Sequence, residues 1–139
     1  MVTVLGLWES DWMDAERTER RLWKQTIEAF AVDTWAMVPQ KGGPFTSPIQ
    51  YATAAEMLAA HPGPKVFLMM PESSPAGAVR LRDFVHPAGA IYVLGNGHED
   101  LASYVQEGDQ IVSIETPQPA ALFACAALSA VLFDRLAKE

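Results

Sequence analysis

Residues that could take part in chemistry first appear where an apolar run ends in a turn with two glycines. The stretch AIYVLGNGHEDL, residues 90–101, changes at Gly95 from apolar residues to a polar loop that contains His98 and Glu99. Glycine after a strand lets a ligand approach the backbone closely, and histidine and glutamate side chains can exchange protons. A tight turn without a ligand and a solvated loop produce the same pattern. The spacing alone leaves these interpretations open.

Two further apolar runs end in loops of a similar kind. Residues 65–71, KVFLMMP, are followed by ESS, and residues 109–115, DQIVSIE, are followed by TPQP. In an open α/β sheet, ligands bind just beyond the carboxyl ends of the strands. The three loops contain no lysine or arginine, so a phosphate cradle of the GxxxxGK type is absent. An uncharged ring such as adenine, held by backbone groups between apolar walls, suits these loops better.

Composition and charge limit the class of protein. The 139 residues are 50% hydrophobic and 19% charged, which predicts one folded domain over residues 1–139. The net charge of −7 argues against indiscriminate nucleic-acid binding, although one local basic face can still hold an RNA. The single cysteine favours a reducing, cytoplasmic location, and the N-terminus lacks a signal-peptide pattern. Scattered histidines give no metal-ligand spacing, and the longest apolar run, residues 119–133, is too short to span a bilayer. We therefore predict no metal and no membrane partner.

Five apolar strands alternate with helices along the chain. We predict strands at 2–8, 34–39, 65–71, 90–95 and 109–115, and helices at 13–31, 52–61, 76–86, 100–108 and 120–137. Asp14 can cap the first helix, whose Trp23, Ile27 and Phe30 are spaced by four and three. This alternation predicts an α/β fold, an open parallel sheet with helices on both faces. The terminal helix has no clear polar face as far as Phe133, which predicts a homodimer that covers it.

Four basic residues share one face of the first predicted helix. Arg17, Arg20, Arg21 and Lys24 recur at spacings of three and four. Such a face can bind the phosphates of an RNA. Charged helix faces are more often only solvated, and acidic residues lie nearby in the sequence. Both interpretations of this basic face remain open.

The order and spacing of these features resemble those of the SPOUT superfamily of RNA methyltransferases. In that family a strand ends in glycine, and a short polar loop that follows closes with the pair Gly-Leu. The segment from Gly95 to Leu101, GNGHEDL, has the same length. A further strand, a loop and an apolar helix follow, matched here by Ile114-Glu115-Thr116, residues 117–120 and Ala121-Leu122-Phe123. The resemblance covers the whole chain and is closest to the small single-domain branch that methylates the ribose 2′-oxygen of tRNA.

The resemblance implies a trefoil knot in the C-terminal half, S-adenosylmethionine as cofactor, RNA (in that branch tRNA) as substrate, and a homodimer formed through the C-terminal helix. The catalytic arginine of the family falls near Gln25 here, and Arg21, one turn earlier, is the arginine that we expect to take this role. The resemblance also implies an RNA-binding role for the basic face. It also implies a cofactor site built largely from backbone groups. That site comprises Met70, Pro71, Glu72, Leu94, Gly95, Asn96, Gly97, Ile114, Thr116, Ala121 and Leu122.

Departures from the family pattern keep a second class of function open. The loop glutamate of the family is Gly97 here, its closing glycine is Asp100, and the serine and asparagine of its last motif are Ala121 and Phe123. These changes spare a backbone-mediated cofactor site but remove side chains that position RNA or act on it. The alternative is a catalytically degenerate relative that binds the cofactor or a protein partner. A flavodoxin-like binding module without a knot is a third, weaker alternative.

Overall fold

The chain folds, in a computed structural model, into a parallel β-sheet with helices packed against it. The structure describes residues 1–7, 16–38, 48–70, 77–95, 101–118 and 124–139, with the backbone alone for 16–20. The strands are β1 (Thr3–Leu7), β2 (Thr34–Val38), β3 (Ile49–Gln50), β4 (Val66–Met69), β5 (Val79–Arg80), β6 (Ile91–Gly95) and β7 (Gln110–Ser113). The helices are α1 (Glu16–Ala29), α2 (Ala54–Ala60) and α3 (Ala124–Lys138), and short 3-10 helices span Leu81–Asp83 and Leu101–Tyr104. The predicted α/β class is confirmed.

The sheet has a strand order that does not follow the order of the chain. Its strands pair in the order β3-β2-β1-β6-β4-β7-β5, and all of the pairs are parallel. Strand β6 therefore separates β1 from β4, although β4 comes earlier in the sequence. Among the five strands predicted from sequence, the spatial order is second, first, fourth, third, fifth. A flavodoxin-like sheet has the third and fourth strands the other way round, so the order argues against that alternative.

Two hydrophobic cores cover the two faces of the sheet. One lies under α1 and α3 and contains Trp23, Leu128 and Val131, each 0% exposed. The other lies under α2 and the second 3-10 helix and contains Met57 and Leu101. Neighbouring strand residues alternate between the cores, as the pleat requires: Val4, Tyr92 and Leu94 belong to the first, and Leu5 and Val93 to the second. The predicted helices on both faces are confirmed.

The prediction of a helix over residues 76–86 was wrong for its described part. Val79 and Arg80 are a strand, paired with Val112 and Ser113 of β7, and only a single 3-10 turn follows. Gly77 has φ +96°, a backbone conformation outside the right-handed helix. Pairing with β7 satisfies the backbone groups that a helix would otherwise have bonded internally.

Two-residue strands were also missed, and one helix was overextended. The prediction of five strands omitted β3 and β5, because two residues are too few to show an alternating pattern. The helix predicted over 100–108 is only the 3-10 helix Leu101–Tyr104. The Asp109 carboxylate accepts hydrogen bonds from the backbone N–H of Gln106, at 2.9 Å, and of Lys65, at 2.8 Å, which favours a turn there.

The described residues bear on two of the predicted absences. Among the helices that the structure describes, none is long and apolar enough to cross a membrane. In the same parts of the chain, no three histidine, cysteine, aspartate or glutamate side chains are grouped so as to hold a metal ion.

Candidate functional site

The carboxyl ends of β6, β4 and β7 lie next to one another, because these strands are consecutive in the sheet. The backbone N–H of Ile114 donates to the carbonyl of Met69 at 3.0 Å, so the chain leaves β4 and β7 side by side. On the other side of β4, Gly95 ends β6 beside Leu7 of β1. The structure thus brings together Met70, Gly95 and Ile114, which are far apart in sequence.

The side chains at these strand ends belong mostly to the core. Leu94 is 1% exposed and Ile114 is 4% exposed, and both pack in the core under α1 and α3. Met70 is half-buried against the same core. At Leu94 and Ile114 the groups that remain for a ligand are therefore backbone groups.

Thr116 shapes the loop that follows β7. Its hydroxyl donates a hydrogen bond of 2.6 Å to the carbonyl of Gln118. The hydroxyl is therefore used within the loop, where it holds a local turn. The other predicted cofactor residues lie outside the described residues: Pro71, Glu72, Asn96, Gly97, Ala121 and Leu122. Asp14, His98 and Glu99 lie outside them as well.

The basic face of α1 is open to solvent where the structure describes it. Arg21 and Lys24 are exposed, while Trp23 and Thr26 on the opposite side of the helix are buried. Lys24 Nζ lies 3.9 Å from Glu28 Oε1, and since both side chains are more than half exposed this pair is weak. The side chains of Arg17 and Arg20 lie outside the described residues.

Helix α1 begins at the edge of the sheet that is formed by the carboxyl ends of the strands. It connects β1 to β2, which are parallel neighbours, so it must return from the carboxyl ends of the strands to their amino ends. Arg21 follows Glu16 by little more than one helical turn and therefore lies in the half of α1 nearer the carboxyl ends. The hydroxyl oxygens of Thr26 and Ser129 are 3.0 Å apart and link α1 to α3.

Helix α3 has an apolar surface that the described chain does not cover. Its inner side is buried, whereas Phe133 is 63% exposed and Leu136 is 57% exposed. Ala126 and Ala130 are exposed on the same side as Phe133, since they precede it by seven and three positions. We call Ala126, Ala130, Phe133 and Leu136 the apolar stripe of α3. A stripe of this kind is typical of a helix that packs against a partner.

Sequence reasoning missed a polar cluster that joins α3 to the segment before β6. His86, Tyr92 and Asp134 are linked by hydrogen bonds of 2.7 Å, although Asp134 is 48 positions from His86. Burial of Tyr92 raises the pKa of its hydroxyl. No local pattern could have indicated this cluster, because its members lie on different elements.

Comparisons with known proteins identify the fold. No protein-family profile and no curated protein sequence matches the chain. A tRNA modifying enzyme of the TrmH/SpoU type from A. aeolicus matches with a TM-score of 0.71 and 12% identity, over 99% of this chain and 74% of the other. A structure concerned with 2-OH methylation of C/U34 on tRNA matches with a TM-score of 0.69 and 15% identity, over 99% and 90%.

A third structure is an AdoMet-bound rRNA methyltransferase from Sinorhizobium meliloti. The match has a TM-score of 0.66 and 13% identity. It spans 99% of this chain but only 56% of that protein. The chain therefore has the fold of the RNA methyltransferases of the SPOUT superfamily, which confirms the resemblance found in the sequence. Its structural neighbours include a TrmH/SpoU tRNA modifying enzyme and an rRNA methyltransferase.

Proposed function

We propose that this protein is an S-adenosylmethionine-dependent RNA methyltransferase that acts in the cytoplasm on tRNA, at a ribose 2′-oxygen. One observation carries the proposal: the carboxyl ends of β6, β4 and β7 are adjacent in a fold whose structural neighbours are RNA methyltransferases. In an open α/β sheet this edge is where ligands bind. The proposal includes the trefoil knot in the C-terminal half.

The proposed cofactor site uses backbone groups of the three strand ends. Among the described residues it comprises Met70, Leu94, Gly95, Ile114 and Thr116. The residues fit the group, since the side chains of Leu94 and Ile114 pack in the core and leave backbone groups at the strand ends for an adenine. When bound, S-adenosylmethionine supplies an activated methyl group. An AdoMet-bound structure among the neighbours supports this assignment.

The proposed RNA-binding surface is the basic face of α1. A chain with a net charge of −7 and ten basic residues must concentrate positive charge to hold phosphates. Arg21 and Lys24 are exposed on that face. We assign Arg21 the catalytic role, in which its guanidinium lies beside the attacking ribose oxygen and stabilises the negative charge that develops there.

The proposed assembly is a homodimer formed through α3. Burial of Phe133 and Leu136 against a second copy removes the largest exposed apolar side chains of α3 from water. In such a dimer, the basic face of one subunit can lie beside the cofactor site of its partner.

A second candidate function is a catalytically degenerate relative that binds the cofactor or a protein partner. The observation that favours it is the presence of Ala121 and Phe123 where the family has serine and asparagine. Both candidates share the cofactor site, so they differ in methyl transfer and not in cofactor binding.

Titration calorimetry with S-adenosylmethionine and with its demethylated product tests the shared part of the proposal. Saturable heat with at least one of them is expected, and no heat with either compound would contradict it. Incorporation of labelled methyl groups into tRNA from cells that lack the protein then separates the two candidates. Methyl transfer would exclude the degenerate relative, whereas cofactor binding without transfer to tRNA or rRNA would favour it.

A further inference from the structure

Gly6 lies inside β1, at a position where most strands carry a side chain. It is the fourth of the five residues of β1, and its Cα partners are Met37 on β2 and Leu94 on β6. Glycine weakens the interior of a strand, because it loses more conformational freedom on folding than alanine does. The φ of Gly6 is not positive, so its backbone conformation does not require glycine. The packing around Gly6 must therefore supply the reason for glycine there.

A side chain at position 6 would enter space that Met37 and Trp23 already fill. A Cβ on Gly6 would overlap Met37 Sδ, and it would lie 3.0 Å from Met37 Cε and 3.6 Å from Trp23 Cη2. Met37 is 1% exposed and Trp23 is 0% exposed. Trp23 is the member of this group that belongs to α1. We call Gly6, Met37 and Trp23 the α1 seat.

The sheet side of the α1 seat is held more firmly than its helix side. Gly6 and Met37 belong to β1 and β2, which are paired with each other at all five positions. Helix α1 packs on the sheet through side chains, and the ring of Trp23 stacks on that of Trp35 with centroids 6.1 Å apart. The Met37 side chain is flexible, but close packing of the core leaves it no open space to move into. Bulk added at Gly6 is therefore expected to displace α1 and not the strands.

Trp23 lies close to the exposed basic residues of α1. Arg21 precedes it by two positions, on roughly the opposite side of the helix, and Lys24 is the next residue. The Thr26 hydroxyl, three positions after Trp23, is 3.0 Å from the hydroxyl of Ser129 on α3 and fixes α1 at a second point. A displacement at Trp23 therefore tilts the half of α1 that carries Arg21.

We propose that Gly6 is a positioning residue for the basic face of α1. The absence of a side chain at Gly6 lets Trp23 pack close to the sheet, and this packing fixes where α1 presents Arg21 and Lys24. Gly6 acts through Met37 and Trp23 and does not itself touch the RNA or the cofactor. The inference rests on the proposed function, because it gives Gly6 a part in methyl transfer to RNA.

Residual dipolar couplings of the backbone amides test the structural half of the proposal. They measure the orientation of α1 relative to β4 and β7, whether or not the protein modifies RNA. In Gly6→Ala, α1 is expected to be tilted. Gly89→Ala is the matched control, since a Cβ at Gly89 meets no atom within 4 Å, and it should keep the wild-type orientation. A wild-type orientation in a folded Gly6→Ala protein would overturn the proposal.

A second substitution tests whether the overlap with Met37 is the cause. Met37→Val removes Sδ and Cε, the two atoms nearest to the added Cβ. The double variant Gly6→Ala with Met37→Val should therefore fold and regain the wild-type orientation of α1, even if Gly6→Ala alone does not fold. A double variant that stays unfolded, or that keeps the tilt, would overturn the α1 seat.

Methyl transfer to tRNA tests the functional half. In Gly6→Ala, kcat is expected to fall by about a hundredfold, the loss that a misplacement of about 1 Å can produce. Calorimetry should show unchanged affinity for S-adenosylmethionine, and the double variant should regain the lost rate. Unchanged kcat in a Gly6→Ala protein with a tilted α1 would overturn the positioning role. Failure of the proposed function has a different signature: the wild type itself would transfer no methyl group, while the tilt in Gly6→Ala would remain.

Discussion

Leu7 and Gly95 are Cα partners at the carboxyl ends of two adjacent parallel strands, β1 and β6. Gly95 is therefore the point where β6 leaves the sheet, next to the end of β4 in the strand order. A side chain at this position adds bulk at the edge where we place the cofactor. Gly95→Val is expected to abolish binding of S-adenosylmethionine in calorimetry.

Gly89→Val is the matched control for that variant. Gly89 precedes β6 instead of ending it, and a Cβ there meets no atom within 4 Å. This variant should bind the cofactor as the wild type does, and thermal melts should show that both variants are folded. If a folded Gly95→Val protein bound S-adenosylmethionine with wild-type affinity, the cofactor site could not lie at this strand end.

Reversal of charge on the basic face of α1 is expected to abolish RNA binding and to spare cofactor binding. The variant Arg17→Glu with Arg21→Glu removes two proposed phosphate contacts and adds repulsion. For the single change Arg21→Glu we expect weaker binding with a flatter salt dependence. Filter binding to tRNA over a range of salt concentrations measures both. Arg82→Glu changes an exposed arginine elsewhere by the same charge and should have little effect. If Arg21→Glu and Arg82→Glu lost the same amount of tRNA affinity, the effect of charge would be nonspecific.

Phe133→Glu is expected to convert a dimer into a monomer. The side chain is 63% exposed, so a glutamate there costs the isolated subunit little but places a charge in the proposed interface. Light scattering at micromolar concentration measures the mass. Ile49→Glu is the control, because Ile49 is 49% exposed and lies on β3, the strand at one edge of the sheet. A monomeric wild type would refute the dimer, as would a Phe133→Glu protein that keeps the dimer mass.

Acidification below about pH 6.5 is expected to lower the free energy of unfolding through His61. Burial, and to a smaller extent the charge of Lys65, lowers the pKa of His61 in the folded state. The unfolded chain then takes up the proton at a higher pH than the folded protein does, so stability falls as the pH falls through this range. Urea unfolding at pH 7.5 and 5.5 measures the difference, and His61→Gln should show a smaller one. An equal pH dependence in His61→Gln would exclude this residue as the cause.

Asp134→Asn is expected to destabilise the fold by about 1–3 kcal/mol at neutral pH, because two hydrogen bonds to a charged acceptor are lost. Burial by itself would raise the pKa of Asp134, but hydrogen bonds from Lys138 and His86 bring it below the usual 3.8. The folded state therefore holds the carboxylate more readily than the unfolded chain does. The stability that this lowered pKa contributes is present above about pH 3.8, the usual pKa, and is lost as the pH falls below it.

Chemical denaturation at pH 7 and pH 3 tests this assignment. The wild type should lose more stability between the two values than Asp134→Asn does. Asp83→Asn is the control, since Asp83 is about half exposed and its pair with Arg80 is on the surface, where such pairs contribute little. A loss of stability in Asp83→Asn as large as that in Asp134→Asn would show that the hydrogen bonds from Lys138 and His86 to Asp134 are not the cause.

The elements that have a long, regular pattern of apolar residues could be predicted from local sequence. Trp23, Ile27 and Phe30 were predicted to form the buried face of the first helix, and all three pack in the core under α1 and α3. The predicted strands correspond to β1, β2, β4, β6 and β7. Local patterns indicate these elements because burial of one face makes apolar residues recur at regular intervals along the sequence. The loops proposed to hold the cofactor were predicted from the ends of these same strands.

The pairing of the strands and the contacts between distant side chains could be seen only in the folded protein. β6 lies between β1 and β4, and this order is what places Gly95 near Met70 and Ile114. Val79 and Arg80 became a strand because β7 offered an edge to pair with. His86 meets Asp134 only once α3 has packed back on the sheet. Such contacts depend on how the elements pack against one another. A local sequence pattern contains no information about that packing.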